Sequence, residues 1–443
     1  MQHTVALQVV AALSEKGFSL DELVLKTKEL FEQQGLPGFV SLVLALVNEG
    51  LSLGLVQGCS PWKPKPCCAA PRYELYRSSR KTLRTSVGKV CLQWRRLRCC
   101  NCRKSCVPLR EFLGLARYQP KTAELERVVA EVVSEQSYRR SSRHLGLIGE
   151  IPVPKSTAHR WVMESGCDGL AVEGVGVESL MADGTGYKRR PSKAKPSNRG
   201  EVRVVLGVRR DGGVVPFGAW SGSSWEAISQ EIRQRSQKLE PLGQVLLSDG
   251  ELGLAEALAG LAKGEQRCHW HLVRDLGYTM WKEEAPKSER DAMSERLAGV
   301  IGIELPEEDF ERVSEKDRTA LEERTRQAER GLEELIGELV RKGYERAADY
   351  VRHAQQRVFS YVRLWLASGL VCGRTTSMLE RLMRELGRRL KKIAFGWSES
   401  GAAKMARIIL KRITSAGGWD DYWKRRLRLD GNVMLVFQGA KVL

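Results

Sequence analysis

The sequence is short of several things, and each shortage narrows the reading. No apolar run approaches the roughly 20 residues that a membrane-spanning helix needs; the longest near the start is Phe39 to Val47. The N-terminus carries no basic stretch followed by an apolar core and a small-residue cleavage site, so no secretory leader is expected. No internal repeat is visible, and one segment alone is of low complexity, Lys188 to Arg199. Acidic residues are in deficit: 54 Asp and Glu face 72 Lys and Arg, a net charge of +18. The excess is spread along the chain. It favours polyanionic partners, nucleic acid before an anionic membrane surface. These features together imply a cytoplasmic protein with reduced thiols and no membrane partner.

What is present is organised in blocks. The 443 residues exceed one ordinary domain. Residues 1–55 read as helical: Ser19 and Glu22 have capping-box spacing, and Gly35-Leu36-Pro37-Gly38 reads as a breaker before a second apolar segment. Residues 56–115 hold eight of the 11 cysteines and show a strand period of two around Thr85 to Leu92. Residues 116–170 return to helical periodicity, with Leu125, Val128, Val129, Val132 and Val133 on one face. Further helices fit Tyr138 to Leu147 and a start near Ser156, after the turn Gly149 to Pro154. Residues 175–280 alternate strand and helix, with a hairpin turning at Asp211-Gly212-Gly213 and helices over Ser224 to Leu239 and Leu252 to Ala262. Residues 281–370 are charged and helical, and 371–443 carry two more helices. The fold class is therefore α/β with a helical insertion.

Two apolar strands each run into an Asp-Gly pair, Leu180-Met181-Ala182-Asp183-Gly184 and Val245-Leu246-Leu247-Ser248-Asp249-Gly250. Asp-Gly alone is commonly just a turn. Two such ends in one basic chain suit hard-cation ligands, because strand ends project side chains into a shared crevice. A third carboxylate is expected from a late helix. Glu380 is favoured, followed by Arg381, Arg384 and Arg388, with Glu385 as its rival. An ordinary helix Glu paired with Arg one turn on is the plain alternative.

The order helical region, strand–Asp, hairpin, strand–Asp, helical insertion, helix–Glu resembles the ribonuclease H-like DDE transposases of bacterial insertion sequences, in the group related to Mutator-like elements. Cys268-His269-Trp270-His271 resembles that group's Cys-x-x-His signature, and Phe395-Gly396-Trp397-Ser398 with Gly401, Met405 and Ala406 resembles its C-terminal region. The resemblance spans roughly residues 60–410 and rests on short motifs. It implies a ribonuclease H-like catalytic core in which Asp183, Asp249 and Glu380 hold two Mg²⁺ or Mn²⁺ ions about 4 Å apart. It implies DNA strand cleavage and strand transfer at element ends, with terminal repeats and target DNA as partners, a homodimer or higher oligomer on DNA, and a nucleoid-associated location. A repurposed, catalytically silent DNA-binding protein is the alternative. Cys268 and His271 lack a nearby second Cys/His pair, so they are expected to support the active site, not to ligate zinc; a packed Cys and a satisfied His compete equally.

Two DNA-binding segments are expected ahead of the core. Cys99-x-x-Cys102 with the upstream Cys67-Cys68 suggests a zinc-ribbon-like four-thiolate site. Adjacent cysteines are poor joint ligands, so Cys59 and Cys106 remain alternatives. The helices of 116–170 suit a helix-turn-helix, with Lys155, Ser156, Thr157, His159 and Arg160 at base edges and Arg139, Arg140 and Arg143 on phosphates. A plain three-helix bundle is the competing reading. Lys188, Arg189 and Arg190 in the basic segment would add backbone contacts.

Overall fold

A computed structural model describes residues 19–148, 151–165, 176–191, 196–236, 241–393, 396–414 and 416–427. Gly149 and Glu150 of the expected turn, residues 192–195 of the basic segment and Phe395 lie outside the described residues. The chain forms two compact units, Met1–Trp161 with Tyr422–Leu443, and Val162–Asp421.

In the first unit, helix α1 (Leu20–Glu29) starts where Ser19 Oγ accepts the Glu22 N–H at 3.0 Å. A single π turn, Leu30–Gly35, then passes directly into α2 (Leu36–Gln57). The expected break at Gly35 to Gly38 is thus corrected. Pro37 is the second residue of α2, directly after the π turn that departs from the regular α ladder. Because the helix is unbroken, the expectation that nothing reaches membrane-spanning length is corrected too. By length and composition α2 qualifies, at a mean hydropathy of 1.9. Here one face of α2 lies on a β-hairpin, β1 (Tyr73–Thr85) with β2 (Gly88–Cys99). Val40 and Leu44 pack against Leu83, Val90, Leu92 and Trp94, and the last three alternate along β2 as the period of two requires. Polar residues of α2 also serve the hairpin. Ser41 Oγ and Asn48 Oδ1 accept the N–H groups of Cys91 and Arg95, and Glu49 pairs with the Arg95 guanidinium at 2.8 Å.

A short strand β3 (Ser105–Cys106) pairs with β2, and α3 (Pro108–Phe112) follows. Helices α4 (Ala123–Glu135), α5 (Tyr138–Ile148) and α6 (Lys155–Glu164) come next. α4 buries Leu125, Val129 and Val133 at helical spacing. Its Glu126 is 5% exposed, a costly place for a lone charge. Lys121 and Arg426 both reach it, at 3.5 and 2.9 Å.

The second unit centres on a five-stranded sheet of order β6-β5-β4-β7-β8. Its strands are β4 (Val177–Lys188), β5 (Arg199–Arg209), β6 (Val214–Ser221), β7 (Gly243–Ser248) and β8 (Ala262–Arg267). β4, β7 and β8 run parallel to one another, and β5 is antiparallel to β4 and β6. The hairpin at Asp211 to Gly213 forms as expected, with Gly212 at φ 78° and Asp211 Oδ1 accepting the Gly213 N–H. Helices α7 (Trp225–Ser236) and α8 (Leu252–Leu258) pack on the sheet through Trp225, Ile228, Ile232, Leu254 and Leu258.

After β8 the chain is helical: α9 (His269–Lys282), α10 (Lys287–Ile301), α11 (Glu315–Arg341), α12 (Glu345–Ala354) and α13 (Ser360–Ser368). They share a core of Leu272, Leu276, Met280, Leu297, Leu335, Tyr361 and Trp365 among others. α14 (Ser377–Gly387) and α15 (Glu399–Thr414) then return to the sheet. α16 (Ala416–Leu427) follows; like α6, it crosses the division between the units.

Three sequence expectations need correction. β4 does not end at Asp183; it continues to Lys188, paired with β5 throughout. The helix expected to reach Ala262 stops at Leu258, and Ala262 begins the edge strand β8. α16 was not expected as a separate helix.

Candidate active site and cysteine cluster

The last parallel pair between β4 and β7 is Met181↔Leu247. Two residues further along each chain stand Asp183 and Asp249. Side chains two apart share a face of a strand, and neighbouring strands lie about 4.8 Å apart. The register thus brings the two aspartates to one place, each half-buried. Burial first, and the Asp249 charge second, push the Asp183 carboxyl up to about 6. The Gly184 N–H, donating to Asp183 Oδ1, and the His271 imidazole pull the other way. Asp249 Oδ1 also accepts the Glu251 N–H at 3.0 Å, so it closes its own turn as Asp-Gly sequences do.

Glu380 arrives from 131 residues beyond Asp249. It occupies the first turn of α14, and a four-member contact set holds it there. Thr376 Oγ1 donates to Glu380 Oε1 at 3.4 Å and lies 3.3 Å from His271 Nδ1. His271 Nε2 is 3.9 Å from Glu380 Oε1. The Cys268 sulfur accepts the Thr376 N–H and lies 3.4 Å from His271 Nδ1. Cys268 is itself anchored to the end of β7, its N–H donating to Ser248 O at 2.8 Å. Burial opposes ionisation of the Cys268 thiol, yet hydrogen bonds from His271 and Thr376 outweigh it and bring the thiol down to about 7. For His271 burial disfavours the charged ring, but the Cys268 sulfur and Asp249 more than compensate. Glu380 stands beside His271, and Asp183 and Asp249 are close enough for their charges to act there, His271 lowering the Asp183 carboxyl and Asp249 raising His271. The rival Glu385 is instead ion-paired with Arg388 at 3.2 Å.

This donor set suits hard divalent cations: three carboxylates, two of them on one sheet end, with a carboxyl whose ionisation the fold itself resists. The three do not form a closed cage. Among the described residues, the group whose ligand atoms all lie within 4.8 Å of one another is Cys67, Cys68, Cys99 and Cys102.

One residue that sequence reasoning did not single out stands behind the aspartates. Arg267, 3% exposed, lies against Gly250, whose φ is 90°. A Cβ on Gly250 would come within 2.4 Å of Arg267 Nε. Arg267 Nη2 donates to Tyr350 Oη at 2.6 Å, and Tyr350 Oη donates to His271 O at 3.2 Å. Its signal in the sequence was only its place next to Cys268.

The expected DNA contacts are distributed over both units. In the first, Arg139, Arg140, Arg143, Lys155, Ser156, His159 and Arg160 are exposed, and Thr157 is half-buried. α4 and α5 are joined by two residues, whereas α5 and α6 are separated by residues 149–154, longer than a tight helix-turn-helix link. α6 buries Ala158 and Trp161, leaving its start in solvent. In the second unit Lys188, Arg190, Arg381, Arg384 and Arg388 are exposed. Arg189 is instead committed to Glu399 at 2.9 Å and to Ser197 O.

The first unit also holds the four cysteines. Cys99 ends β2, and Cys102 follows on a tight turn in which Arg103 adopts φ 60°. Cys67 and Cys68 face them, with Cys102–Cys67 and Cys68–Cys99 sulfur separations of 3.4 and 3.7 Å. Ligands at 2.3 Å around a tetrahedral zinc would stand roughly 3.8 Å apart, so the four thiols could hold such a metal. Both members of the adjacent pair lie in the cluster, as the four-thiolate reading of Cys67, Cys68, Cys99 and Cys102 expected. Cys59 points elsewhere, to the Gln57 side chain. Burial pushes the Cys67 and Cys68 thiols up, while backbone N–H groups, that of Cys102 foremost, draw Cys99 down.

Compared with known protein families and with curated proteins, the chain matches none.

Proposed function

We propose that this chain is a DDE transposase that binds DNA ends, cuts them and joins the freed 3′ ends to new DNA. The reading is supported by the strand register that brings Asp183 and Asp249 together and by the Glu380–His271 contact, with Asp183 and Asp249 acting electrostatically on the same place. The order of elements, with α10 to α13 between the second Asp and the Glu, is the order the resemblance to ribonuclease H-like transposases implies.

Asp183, Asp249 and Glu380 would hold two Mg²⁺ ions. Bound there, the ions would lower the pKa of a nucleophile and neutralise charge on the leaving oxygen. The protein's own part is placement. Asp183 and Asp249 are fixed by strand register. Thr376 orients Glu380 through its hydroxyl, and His271 offers Glu380 a partner whose protonated form is favoured. Exposed Arg381 and Arg384 on α14 lie where a phosphodiester backbone beside Glu380 would need cations. In the first unit, zinc on the four cysteines would rigidify the hairpin end. The exposed basic residues of α5 and α6 would engage terminal repeats.

The test is strand cleavage and joining with Mg²⁺ on DNA carrying the sequences that flank this reading frame. Asp183→Asn, Asp249→Asn and Glu380→Gln should each lower the rate by roughly a thousandfold or more, since several kcal/mol of transition-state stabilisation would go. End binding should persist. A wild-type protein that binds ends but never cuts with Mg²⁺ or Mn²⁺ would instead favour a DNA-binding role without catalysis.

A further inference from the structure

The β1–β2 hairpin is one-sided in charge. Its two strands hold eight Lys and Arg and a single acid, Glu74, and Glu74 is taken by Arg103 at 3.6 Å. The cross-strand pairs Arg84↔Lys89, Thr82↔Cys91 and Arg80↔Gln93 alternate with Leu83↔Val90 and Lys81↔Leu92. Successive side chains along a strand point to opposite faces. Leu83, Val90 and Leu92 lie in the core, so the first three pairs share the outer face. All six of its side chains are exposed.

This face does nothing for the stability of the fold. Arg84 and Lys89 stand directly opposite each other, and like charges so placed repel. The ion pairs of hairpin residues are Arg95–Glu49 and Glu74–Arg103, which leaves Arg80, Arg84 and Lys89 without an acid partner among the described residues. Cations on an edge strand can serve simply to stop edge-to-edge pairing. That would account for Arg80 and Arg84, since β1 is the edge of its sheet. It does not account for Lys89 or Gln93, because they lie on β2, whose outer edge Ser41 and Asn48 of α2 already cover.

An unpaired strip of one sign suits a polyanion, and its shape selects which. The major groove of B-DNA admits a two-stranded ribbon, whereas that of A-form RNA is too deep and narrow for side chains to read. Unpaired strands need aromatic rings on which to stack, and none of these six residues is aromatic. From Arg80 to Arg84 is roughly 13 Å at about 3.3 Å per residue, the length of about four base steps at 3.4 Å. The residue types also fit: Arg and Gln bind guanine and adenine edges bidentately, and Thr meets the thymine methyl. We infer that the outer face of the β1–β2 hairpin enters the major groove of duplex DNA, with Arg80, Thr82 and Gln93 at base edges and Arg84 and Lys89 on phosphates. The inference rests on the proposed function for duplex DNA as the partner, and it adds a reading element separate from α5 and α6.

The experiment measures binding of the full chain by fluorescence anisotropy over a range of salt, without added Mg²⁺ or Mn²⁺. One duplex carries the sequences that flank this reading frame, and the other is unrelated and of equal length. The wild type should prefer the flanking duplex. Arg84→Gln with Lys89→Gln should weaken binding to both and reduce the slope of log affinity against log salt by roughly 2. Arg80→Lys with Gln93→Ala keeps the charge; it should bind the unrelated duplex like the wild type and the flanking duplex about 10- to 100-fold more weakly. Arg84→Lys with Lys89→Arg should match the wild type on both. A loss in this last variant equal to that of the glutamine variant would trace the effect to a disturbed fold and overturn the inference. Equal wild-type affinity for the two duplexes would overturn it, as would wild-type preference and slope in the first two variants. Tighter wild-type binding to duplex RNA of the flanking sequence, or to phosphatidylserine vesicles, would overturn it in favour of those partners. A protein that binds but never cuts would refute the proposed catalysis and leave these results standing.

Discussion

Asp183→Asn should make the metal-free protein more stable at neutral pH. The Asp183 carboxyl is held up to about 6 by burial and by Asp249. In the unfolded chain it titrates near its ordinary value of 3.8. Below that value both states are protonated and the site is neutral to stability. Between roughly pH 4 and 6 the unfolded chain releases the proton and the folded chain keeps it, so stability falls as pH rises. Above pH 6 the loss is complete. A rise of this size corresponds to roughly 3 kcal/mol; water at a half-buried carboxyl screens it, leaving about 1–2 kcal/mol. For a unit of this size that is about 2–8 °C in melting temperature. The asparagine amide cannot ionise, so the variant escapes the loss. The assay is thermal unfolding in EDTA at pH 4 and pH 7.5. The variant should match the wild type at the lower pH and exceed it at the higher. Added Mg²⁺ should then narrow the gap at pH 7.5 by stabilising the wild type more. A gap independent of pH, or a variant less stable at pH 7.5, would refute the electrostatic reasoning.

Cys68→Ser and Cys99→Ser should each lower zinc content, measured by atomic emission, from one equivalent towards none, and chelation should unfold the cysteine end of the hairpin in wild type only. Zinc retained at one equivalent in both variants would remove those cysteines from the site. Gly250→Ala should cost about 1–3 kcal/mol by chemical denaturation, because φ 90° disfavours a Cβ and the Cβ would meet Arg267; Arg267→Ala in the same background should recover part of it. Arg140→Ala with Arg143→Ala should weaken binding to duplex ends and reduce the slope of log affinity against log salt by roughly 2. An unchanged slope would place α5 away from the phosphates.

What could be read in the sequence follows physical strength of signal. Asp183 and Asp249 stood out because buried parallel strands are written as continuous apolar runs, so an acid at their end is conspicuous. Glu380 against Glu385 could not be decided by helical pattern; the Thr376 and His271 contacts separate them. β8 was missed because Ala262 to Arg267 is polar and lies at the sheet edge, where one strand face need not be apolar. The second half of β4 was missed for a related reason: Gly184 and Gly186 are poor strand formers, and pairing with β5 overrides them. The unbroken α2 was hidden by Pro37, which reads as a stop, whereas here it follows directly on a π turn. The grouping of Cys67 and Cys68 with Cys99 and Cys102 was legible in the sequence; the structure adds the choice of this set over Cys59 and Cys106.

The same contacts explain how a carboxylate so distant in sequence can be placed reliably. The chain leaves the sheet at Cys268 and returns at Thr376, and these two residues touch. The His269 N–H donates to Arg374 O at 2.9 Å, closing the neck one step further. The helices between thus begin and end at one point. Tyr350 reaches back from α12 to the His271 carbonyl and to Arg267, which ties the insertion to the backbone of the site at a second place. α9 belongs to both, starting at the neck. Cys268 and His271 close this neck: both contact Thr376, which in turn donates to Glu380, so the two ends of the insertion and Glu380 share one set of contacts.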